Sequence, residues 1–314
     1  MTKKISIIVP CYNEEEVLPL FYAELSRVLH DMDCDYEILL INDGSTDRTI
    51  DVMKALHSQD ECIHYLSFSR NFGKEAAIYA GFCHATGDYV AVMDADLQDP
   101  PSLLPQMLKI LKETNYDSVA TRRENRQGES LLKSWFARRF YKLINRISDA
   151  EIVDGARDFR LMNRSVIDAV KQLGEYGRFS KGIFGWVGFK TYWLSYPNST
   201  RAAGKTKWNF WKLFRYAVDG VVNFSQVPLH FISWLGIAMT VFSFAALLFV
   251  IIRRLLFGDP VSGWASTICV ILFVGGVQML CLGIMGQYLT VIYTETKRRP
   301  HYILAESDLL DNMK

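Results

Sequence analysis

Between Val90 and Pro101 the chain reads VAVMDADLQDPP, an apolar run that ends abruptly in acid. Side chains on an extended chain share a face at every second residue, so Asp94, Asp96 and Gln98 can point the same way where a strand over Tyr89 to Met93 frays. Two carboxylates and an amide oxygen are a hard-oxygen ligand set that suits Mg²⁺ or Mn²⁺. Mg²⁺ is usually held by one or two carboxylates plus substrate phosphates, which makes a nucleoside diphosphate the natural remaining ligand. The alternative is an acidic turn capping the helix that begins near Pro101, and Asp99-Pro100-Pro101 reads as that cap. Asp94 and Asp96 precede it, and a D-x-D pair needs structural context before it means more.

The elements that must position these carboxylates alternate from residue 5 to about 121. Apolar runs at Ile5 to Val9, Tyr36 to Ile41, Ile63 to Phe68, Tyr89 to Met93 and Asp117 to Thr121 read as strands. Helical patterns at Glu14 to His30, Thr46 to Ser58, Lys74 to Ala85 and Ser102 to Lys112 separate them. Strands that are apolar throughout and separated by helices make a mostly parallel sheet covered on both faces, with its ligand crevice at the carboxyl ends of the strands. The polar stretches sit at those ends: Pro10-Cys11-Tyr12-Asn13-Glu14, Asn42-Asp43-Gly44-Ser45-Thr46-Asp47, Arg70-Asn71-Phe72-Gly73-Lys74 and the Asp94 group. Each loop alone also reads as helix capping or turn chemistry, with Ser45 or Thr46 as caps and Gly44 as a turn residue. Capping does not explain Asp43 ahead of the turn or the paired Asp94 and Asp96. Neither G-x-G-x-x-G nor G-x-x-x-x-G-K-[ST] occurs, so the site is not a dinucleotide fingerprint or a P-loop.

The 314 residues suffice for one substantial core and a smaller region. Lys and Arg number 35 against 34 Asp and Glu, so no global field points to nucleic acid. Cys11, Cys34, Cys62, Cys83, Cys269 and Cys281 form no C-x-x-C pair, as expected of reduced thiols facing a cytosol. The start, MTKKISIIVP, reads as a first strand and shows no signal peptide.

Phe231 to Ile252 and Trp264 to Met285 each run 22 residues without a charge, long enough to cross a hydrocarbon core. The short Arg253 to Gly263 loop makes them a hairpin. Lys212, Arg215, Lys297, Arg298 and Arg299 on the outer flanks outnumber Arg253 and Arg254 in the loop, which places the large domain and both ends of the chain in the cytoplasm. Ahead of the hairpin, Trp208 to Phe224 mixes aromatic and basic residues and reads as a juxtamembrane amphipathic helix. Ser130 to Ile147 is a similar basic amphipathic helix, for which an ordinary core helix is the alternative. The expected organisation is a catalytic domain over 1–207, a juxtamembrane helix over 208–230, a hairpin over 231–293 and a cytosolic tail over 294–314. A cytosolic nucleotide site tethered by so small a hairpin suggests a lipid as second substrate.

VPCYNEEE, INDGSTD, RNFGKEAA and DADLQDPP together resemble glycosyltransferase family 2, with its GT-A fold. DGARDFRLM (Asp154 to Met162), RFSKGIFGWVGF (Arg178 to Phe189) and RAAGKTKW (Arg201 to Trp208) resemble the bacterial polyprenyl-phosphate members, the bactoprenol glucosyltransferases and their dolichol-phosphate mannose synthase relatives. The resemblance runs essentially end to end. It implies that Pro10, Tyr12, Glu14 and Asp43 hold the nucleotide and that Asp94, Asp96 and Gln98 hold Mg²⁺ or Mn²⁺ and the diphosphate, with Asp96 counted as catalytic. Arg201 and Lys207 would face the donor diphosphate, Arg160 and Lys207 the lipid phosphate, and Asp158 matches the family's proposed base. Lys205 departs from the usual pattern. A phosphate monoester has a second pKa of about 6, so the acceptor is already largely dianionic and Asp158 can serve to orient rather than deprotonate.

The implied reaction is inverting transfer of a hexose, UDP-glucose being favoured over UDP-N-acetylglucosamine and GDP-mannose, to undecaprenyl phosphate at the cytosolic face of a bacterial inner membrane. The resemblance further implies a flippase and a downstream transferase in the same pathway and allows a homo-oligomer. Two other readings compete with it. A processive polysaccharide synthase would add a Q-x-x-R-W motif and more spans, which the chain lacks. An inactive membrane scaffold would not need intact Asp94, Asp96, Asp158 and Lys207.

Overall fold

The computed structural model describes residues 3–123, 153, 155–196, 225, 227–257 and 264–309. Its centre is an eight-stranded sheet. The strands are β1 (Lys4–Cys11), β2 (Asp35–Asn42), β3 (Ile63–Phe68), β4 (Tyr89–Val92), β5 (Ser118–Arg123), β6 (Ala156–Asn163), β7 (Thr191–Tyr196) and β8 (Leu304–Ser307). They lie in the order β7-β5-β6-β4-β1-β2-β3-β8. The pairs β1–β2, β1–β4, β2–β3 and β5–β7 are parallel, while β6 runs antiparallel to both β4 and β5 and β8 antiparallel to β3.

The apolar runs become strands because the sheet is covered on both sides. Ile5, Ile7, Val9, Ile38, Leu40 and Ala91 point into one core with Phe21, Leu25 and Met107. Ile8, Leu39, Ile41, Val90 and Val92 point into the other with Ala77, Phe82, Ile167 and Ile183. The covering helices are α1 (Leu18–His30), α2 (Thr49–Gln59), α3 (Lys74–His84), α4 (Leu104–Glu113), α5 (Arg164–Gln172) and α6 (Ser180–Trp186). The α1 helix begins at Leu18 rather than at Glu14, because Asn13 takes a left-handed backbone (φ 54°) and Pro19 suits only a first turn. Five expected strands and four expected helices are present. The expected fifth strand does not pair with the fourth, since β6 lies between them.

Chain order places the crevice. From β1 the chain steps outward through β2 and β3, then returns to lay β4 on the other side of β1, so the loops after β1 and β4 diverge at their carboxyl ends.

Two long apolar helices follow, α7 (Val227–Phe257) and α8 (Trp264–Thr296), of 31 and 33 residues. Each contains a stretch apolar and long enough to cross a membrane, Val227–Ala246 and Phe273–Thr296. Phe231, Trp234, Phe242, Phe273 and Met279 are exposed on them, a surface that a lipid solvent would cover. At 1.5 Å per residue each helix is about 45–50 Å long, so an end of each projects beyond a hydrocarbon core of about 30 Å. The last turn of α8 meets the sheet domain, where Glu295 Oε1 accepts from the Tyr176 backbone N–H at 2.8 Å.

The residues after α8 do more than the expected tail. Leu304 to Ser307 add the edge strand β8, pinned by Ser69 N–H to Ile303 O (2.9 Å), a Lys54–Glu306 ion pair (2.7 Å) and Tyr302 stacked on Phe68. The amphipathic stretches Ser130 to Ile147 and Trp208 to Phe224 lie outside the described residues.

Candidate active site

The β4–β6 pairing brings two distant acids together. Val92 lies opposite Arg160, so continuing the antiparallel register two residues sets Asp94 opposite Asp158. Lys74, the first residue of α3, lies between them: its Nζ is 2.6 Å from Asp94 Oδ1 and 2.5 Å from Asp158 Oδ2. Lys181 approaches Asp158 from α6 at 3.9 Å and donates to Ala156 O at 3.0 Å. Burial pushes the Asp158 carboxyl up, but Lys74 and Lys181 outweigh it and hold the group well below the usual carboxylate range. Burial likewise opposes the Lys74 charge, and the two aspartates raise its pKa well above the ordinary lysine value.

The other loops close around this centre. Asn13 N–H donates to Ser45 Oγ (2.9 Å), Thr46 N–H to Asn13 Oδ1 (2.8 Å) and Glu14 N–H to Thr49 Oγ1 (2.9 Å), which ties the loop after β1 to the loop after β2. Asp43 is buried, and its Oδ1 accepts from the Phe72 and Gly73 backbone N–H groups at 2.6 and 3.0 Å. It therefore shapes the loop that delivers Lys74. Gly44 sits where that loop crosses: its φ is +64°, and a Cβ there would stand 2.3 Å from the Arg70 carbonyl carbon. Tyr12 is exposed just after β1, and Pro10 is half-buried between the buried Val9 and Cys11.

The DADLQDPP loop is held from β6. Arg157 donates from Nε to Asp99 Oδ1 (2.9 Å) and from Nη2 to Gln98 Oε1 (3.0 Å), and Tyr196 Oη also donates to Asp99 Oδ1. Asp99 is thus not the expected cap. The short 3₁₀ turn over Pro101–Leu103 has no side-chain cap, and the Asp99 carboxylate turns inward to Arg157 instead. Asp96 Oδ1 accepts from the Gln98 backbone N–H at 3.1 Å, in a turn where Leu97 adopts φ 55°.

Arg160 lies on β6 two residues beyond Asp158, buried, with its guanidinium 4.3 Å from the Phe184 ring centroid and 5.6 Å from that of Trp193. Burial lowers its pKa to about 10, against the opposing charge of Asp158. A direct contact with a lipid phosphate would need this side chain to leave its aromatic pair. Arg201 and Lys207 lie outside the described residues.

The structure thus gathers Asp94, Asp96, Gln98 and Asp158 with the Asp43 loop at one crevice. Lys74, Lys181 and Arg157 were not singled out in the sequence, although each lies inside a quoted motif: RNFGKEAA, RFSKGIFGWVGF and DGARDFRLM. The donor set fits a hard divalent cation. Asp94 and Asp96 offer carboxylates at the end of β4, and the place beside Asp94 already attracts the Lys74 ammonium.

Residues 6–171 match the model of the family described as glycosyl transferase family 2. The chain is 44% identical over 305 residues to the putative glycosyltransferase CsbB of Bacillus subtilis, covering 97% of this chain and 92% of that one. It is 42% identical over 304 residues to the bactoprenol glucosyl transferase of Shigella phage SfII (97% and 98%) and 41% over 301 residues to the prophage bactoprenol glucosyl transferase homolog of Escherichia coli (96% and 98%). Among solved structures, glucosyl-3-phosphoglycerate synthase of Mycobacterium tuberculosis, in complex with Mn²⁺, UDP-glucose and phosphoglyceric acid, covers 70% of this chain and 78% of that one at 16% identity, with a TM-score of 0.49. A family match over more than half of the chain, and relatives above 40% identity along almost all of it, establish that the chain belongs to glycosyl transferase family 2 and is a glycosyltransferase of the GT-A type.

Proposed function

We propose that the chain transfers a hexose, glucose in the favoured case, from its UDP donor to a polyprenyl phosphate at the cytosolic face of a membrane. The observation that carries this reading is the extent of the similarity. The relatives named bactoprenol glucosyl transferase align over 96–97% of the chain, through both apolar helices as well as the sheet domain. Polyprenyl phosphate is bactoprenol's class of lipid, and two exposed apolar helices in the same chain suit a substrate that stays in the bilayer.

Asp94 and Asp96, with Gln98, are the residues proposed to hold Mg²⁺ or Mn²⁺, whose charge would stabilise the departing nucleoside diphosphate. Lys74 pairs with both Asp94 and Asp158 and holds them close together despite their like charge. Asp158, held well below the usual carboxylate range, is a weaker base than a phosphate monoester with its second pKa of about 6. The acceptor therefore arrives already charged, and the role left for Asp158 is to position it through Lys74 and Lys181. Tyr12, Glu14 and Asp43, from the loops after β1 and β2, are proposed to frame the nucleotide. Arg201 and Lys207 are proposed to face the phosphates, with Arg160 adding its charge from behind Phe184 and Trp193. Direct displacement at the anomeric carbon would invert it.

The test is to incubate membranes containing the chain with labelled UDP-glucose, UDP-N-acetylglucosamine and GDP-mannose and extract the lipid. Label from UDP-glucose in a mild-acid-labile polyprenyl phosphate is the expected result. Label confined to water-soluble product would overturn the lipid acceptor.

A further inference from the structure

We propose that His57, His64 and Asp308 form a binding site for a Zn²⁺ ion that staples the strand following the apolar helices to the edge of the sheet. One ligand atom from each of the three side chains lies within 4.8 Å of the others. They come from three separate elements: His57 from the end of α2, His64 from the start of β3 and Asp308 from the residue after β8.

The hydrogen bonds around the two imidazoles indicate which atoms would ligate. His57 Nδ1 lies 2.5 Å from Ile63 O, and because a carbonyl only accepts, Nδ1 carries the proton and Nε2 keeps its lone pair. His64 Nδ1 lies 2.6 Å from Asp308 Oδ2, while Asp308 Oδ1 accepts from Tyr65 N–H at 2.6 Å. A backbone carbonyl that fixes the second nitrogen is usual for a metal-ligating histidine, and His57 has it; at His64 the ion would take the place of the proton shared by Nδ1 and Asp308 Oδ2, leaving both atoms as ligands. The two rings lie with centroids 6.2 Å apart and tilted by 42°, and all three residues are only partly buried, so an ion can enter.

Donors about 2.0–2.2 Å from a tetrahedral Zn²⁺ stand about 3.3–3.6 Å apart, so seating the ion draws the wider pairs together and parts His64 Nδ1 from Asp308 Oδ2, by side-chain shifts on the order of 1 Å. Two imidazoles and a carboxylate leave the fourth position to water. Imidazole selects Zn²⁺ over Mg²⁺, which sets this place apart from the all-oxygen set at Asp94 and Asp96. The two are also apart in space, because His64 opens β3 whereas the crevice lies at the carboxyl ends of the strands. Strand β8 is a four-residue edge strand that, among the described residues, pairs with β3 alone. An ion joining α2, β3 and Asp308 would fasten the chain leaving α8 to the catalytic domain.

The test uses the full-length protein in detergent, stripped with chelator and carrying Asp94→Asn and Asp96→Asn so that the crevice carboxylates do not compete. Titration with Zn²⁺ should show about one ion per chain at micromolar or tighter affinity and raise the thermal unfolding midpoint by several degrees. Co²⁺ in its place should give the visible absorption of a nitrogen-ligated four-coordinate ion. His57→Gln and His64→Gln should each weaken Zn²⁺ binding at least about tenfold and abolish the Co²⁺ spectrum, as loss of one ligand from a three-ligand site requires. Zn²⁺ binding that survives both substitutions would overturn the proposal. If a histidine variant fails to fold, the decision rests on the parent alone: absence of a Zn²⁺-dependent rise in its unfolding midpoint and of a Co²⁺ spectrum overturns the site.

Discussion

Lys74 Nζ stands 2.5 Å from Asp158 Oδ2, joining the first residue of a helix to a strand 84 positions later in the chain. The same nitrogen reaches Asp94, so one cation holds two carboxylates that would otherwise repel. Replacing it by Met removes the charge and keeps the length. Lys74→Met should lower turnover about 10²–10³-fold, the usual cost of losing one preorganised electrostatic partner, with Lys74→Arg intermediate. Turnover at saturating donor and acceptor measures it, and a near-normal value in the Met variant would take Lys74 out of the reaction.

Asp158 itself is proposed to serve the acceptor side. Asp158→Asn should therefore depress turnover severely while leaving UDP-glucose affinity, read by calorimetric titration, close to the parent value. Collapse of donor affinity with normal residual turnover at saturating donor would place Asp158 on the other substrate.

The carboxylates at the end of β4 make a sharper claim. Asp94→Asn or Asp96→Asn should abolish transfer, and EDTA should do the same to the unaltered protein, with activity restored by Mg²⁺ or Mn²⁺. Full activity in EDTA would remove the divalent ion from the reaction.

Why these residues were only partly legible follows from what is local and what is not. Ile5 to Val9 or Ile38 to Ile41 announce buried strands by composition alone, and the loops at their ends follow directly. Strand pairing carries no such signal. Ala156 to Asn163 mixes Arg157, Asp158 and Arg160 with apolar residues, and only the folded sheet shows it slotting antiparallel between β4 and β5. That insertion is what places Asp158 against Asp94, so their meeting was available from family motifs but not from spacing. Lys74 was hidden for a related reason: a lysine after Gly73 reads as an ordinary first-turn residue until the Asp43 carboxylate is seen bending its loop inward. Asp99 misled in the opposite direction. An acid before two prolines has the composition of a cap, but a half-buried arginine from β6 offers it a stronger partner than backbone N–H groups do. The strand after α8 was missed because four residues beyond a membrane span carry too little pattern to distinguish an edge strand from a tail.

The sheet depends on a second buried acid, far from the chemistry. Glu37 accepts from Lys4 Nζ (2.6 Å), Ser6 Oγ (2.5 Å) and Thr86 N–H (2.7 Å) and is almost fully buried. Burial raises its pKa, but Lys4, Ser6 and Thr86 outweigh that and leave it below the ordinary 4.5. A carboxyl whose folded pKa is depressed stabilises the fold above its unfolded pKa and loses that contribution as pH falls through the folded value. Glu37→Gln should therefore cost about 2–4 kcal/mol at neutral pH, as expected for breaking a buried charged network. The gap between variant and parent should narrow as the pH drops below about 4, near the carboxylate reference value. Urea unfolding at several pH values measures it, and a difference independent of pH would mean that shape rather than charge is at stake.

The last expectation concerns the membrane. The flanks outside the two apolar helices carry Lys212, Arg215, Lys297, Arg298 and Arg299 against Arg253 and Arg254 between them, a bias that predicts cytoplasmic flanks. The fold adds its own constraint. Strand β8, beyond α8, pairs with β3 of the same sheet that precedes α7, so the two flanks cannot lie on opposite sides of a bilayer. Only the connection near Asp259 should face out. Single cysteines placed at Asp259 and Lys314, in a chain freed of its six native thiols, should respond differently to an impermeant maleimide in intact cells: the first labelled, the second spared until the cells are broken. The proposed chemistry depends on the same outcome, because sugar nucleotides are made in the cytosol and an inverted hairpin would leave Asp94 and Asp158 without donor. Labelling at position 314 in unbroken cells would reverse the topology, and with it the assignment of the transfer reaction to the cytosolic face.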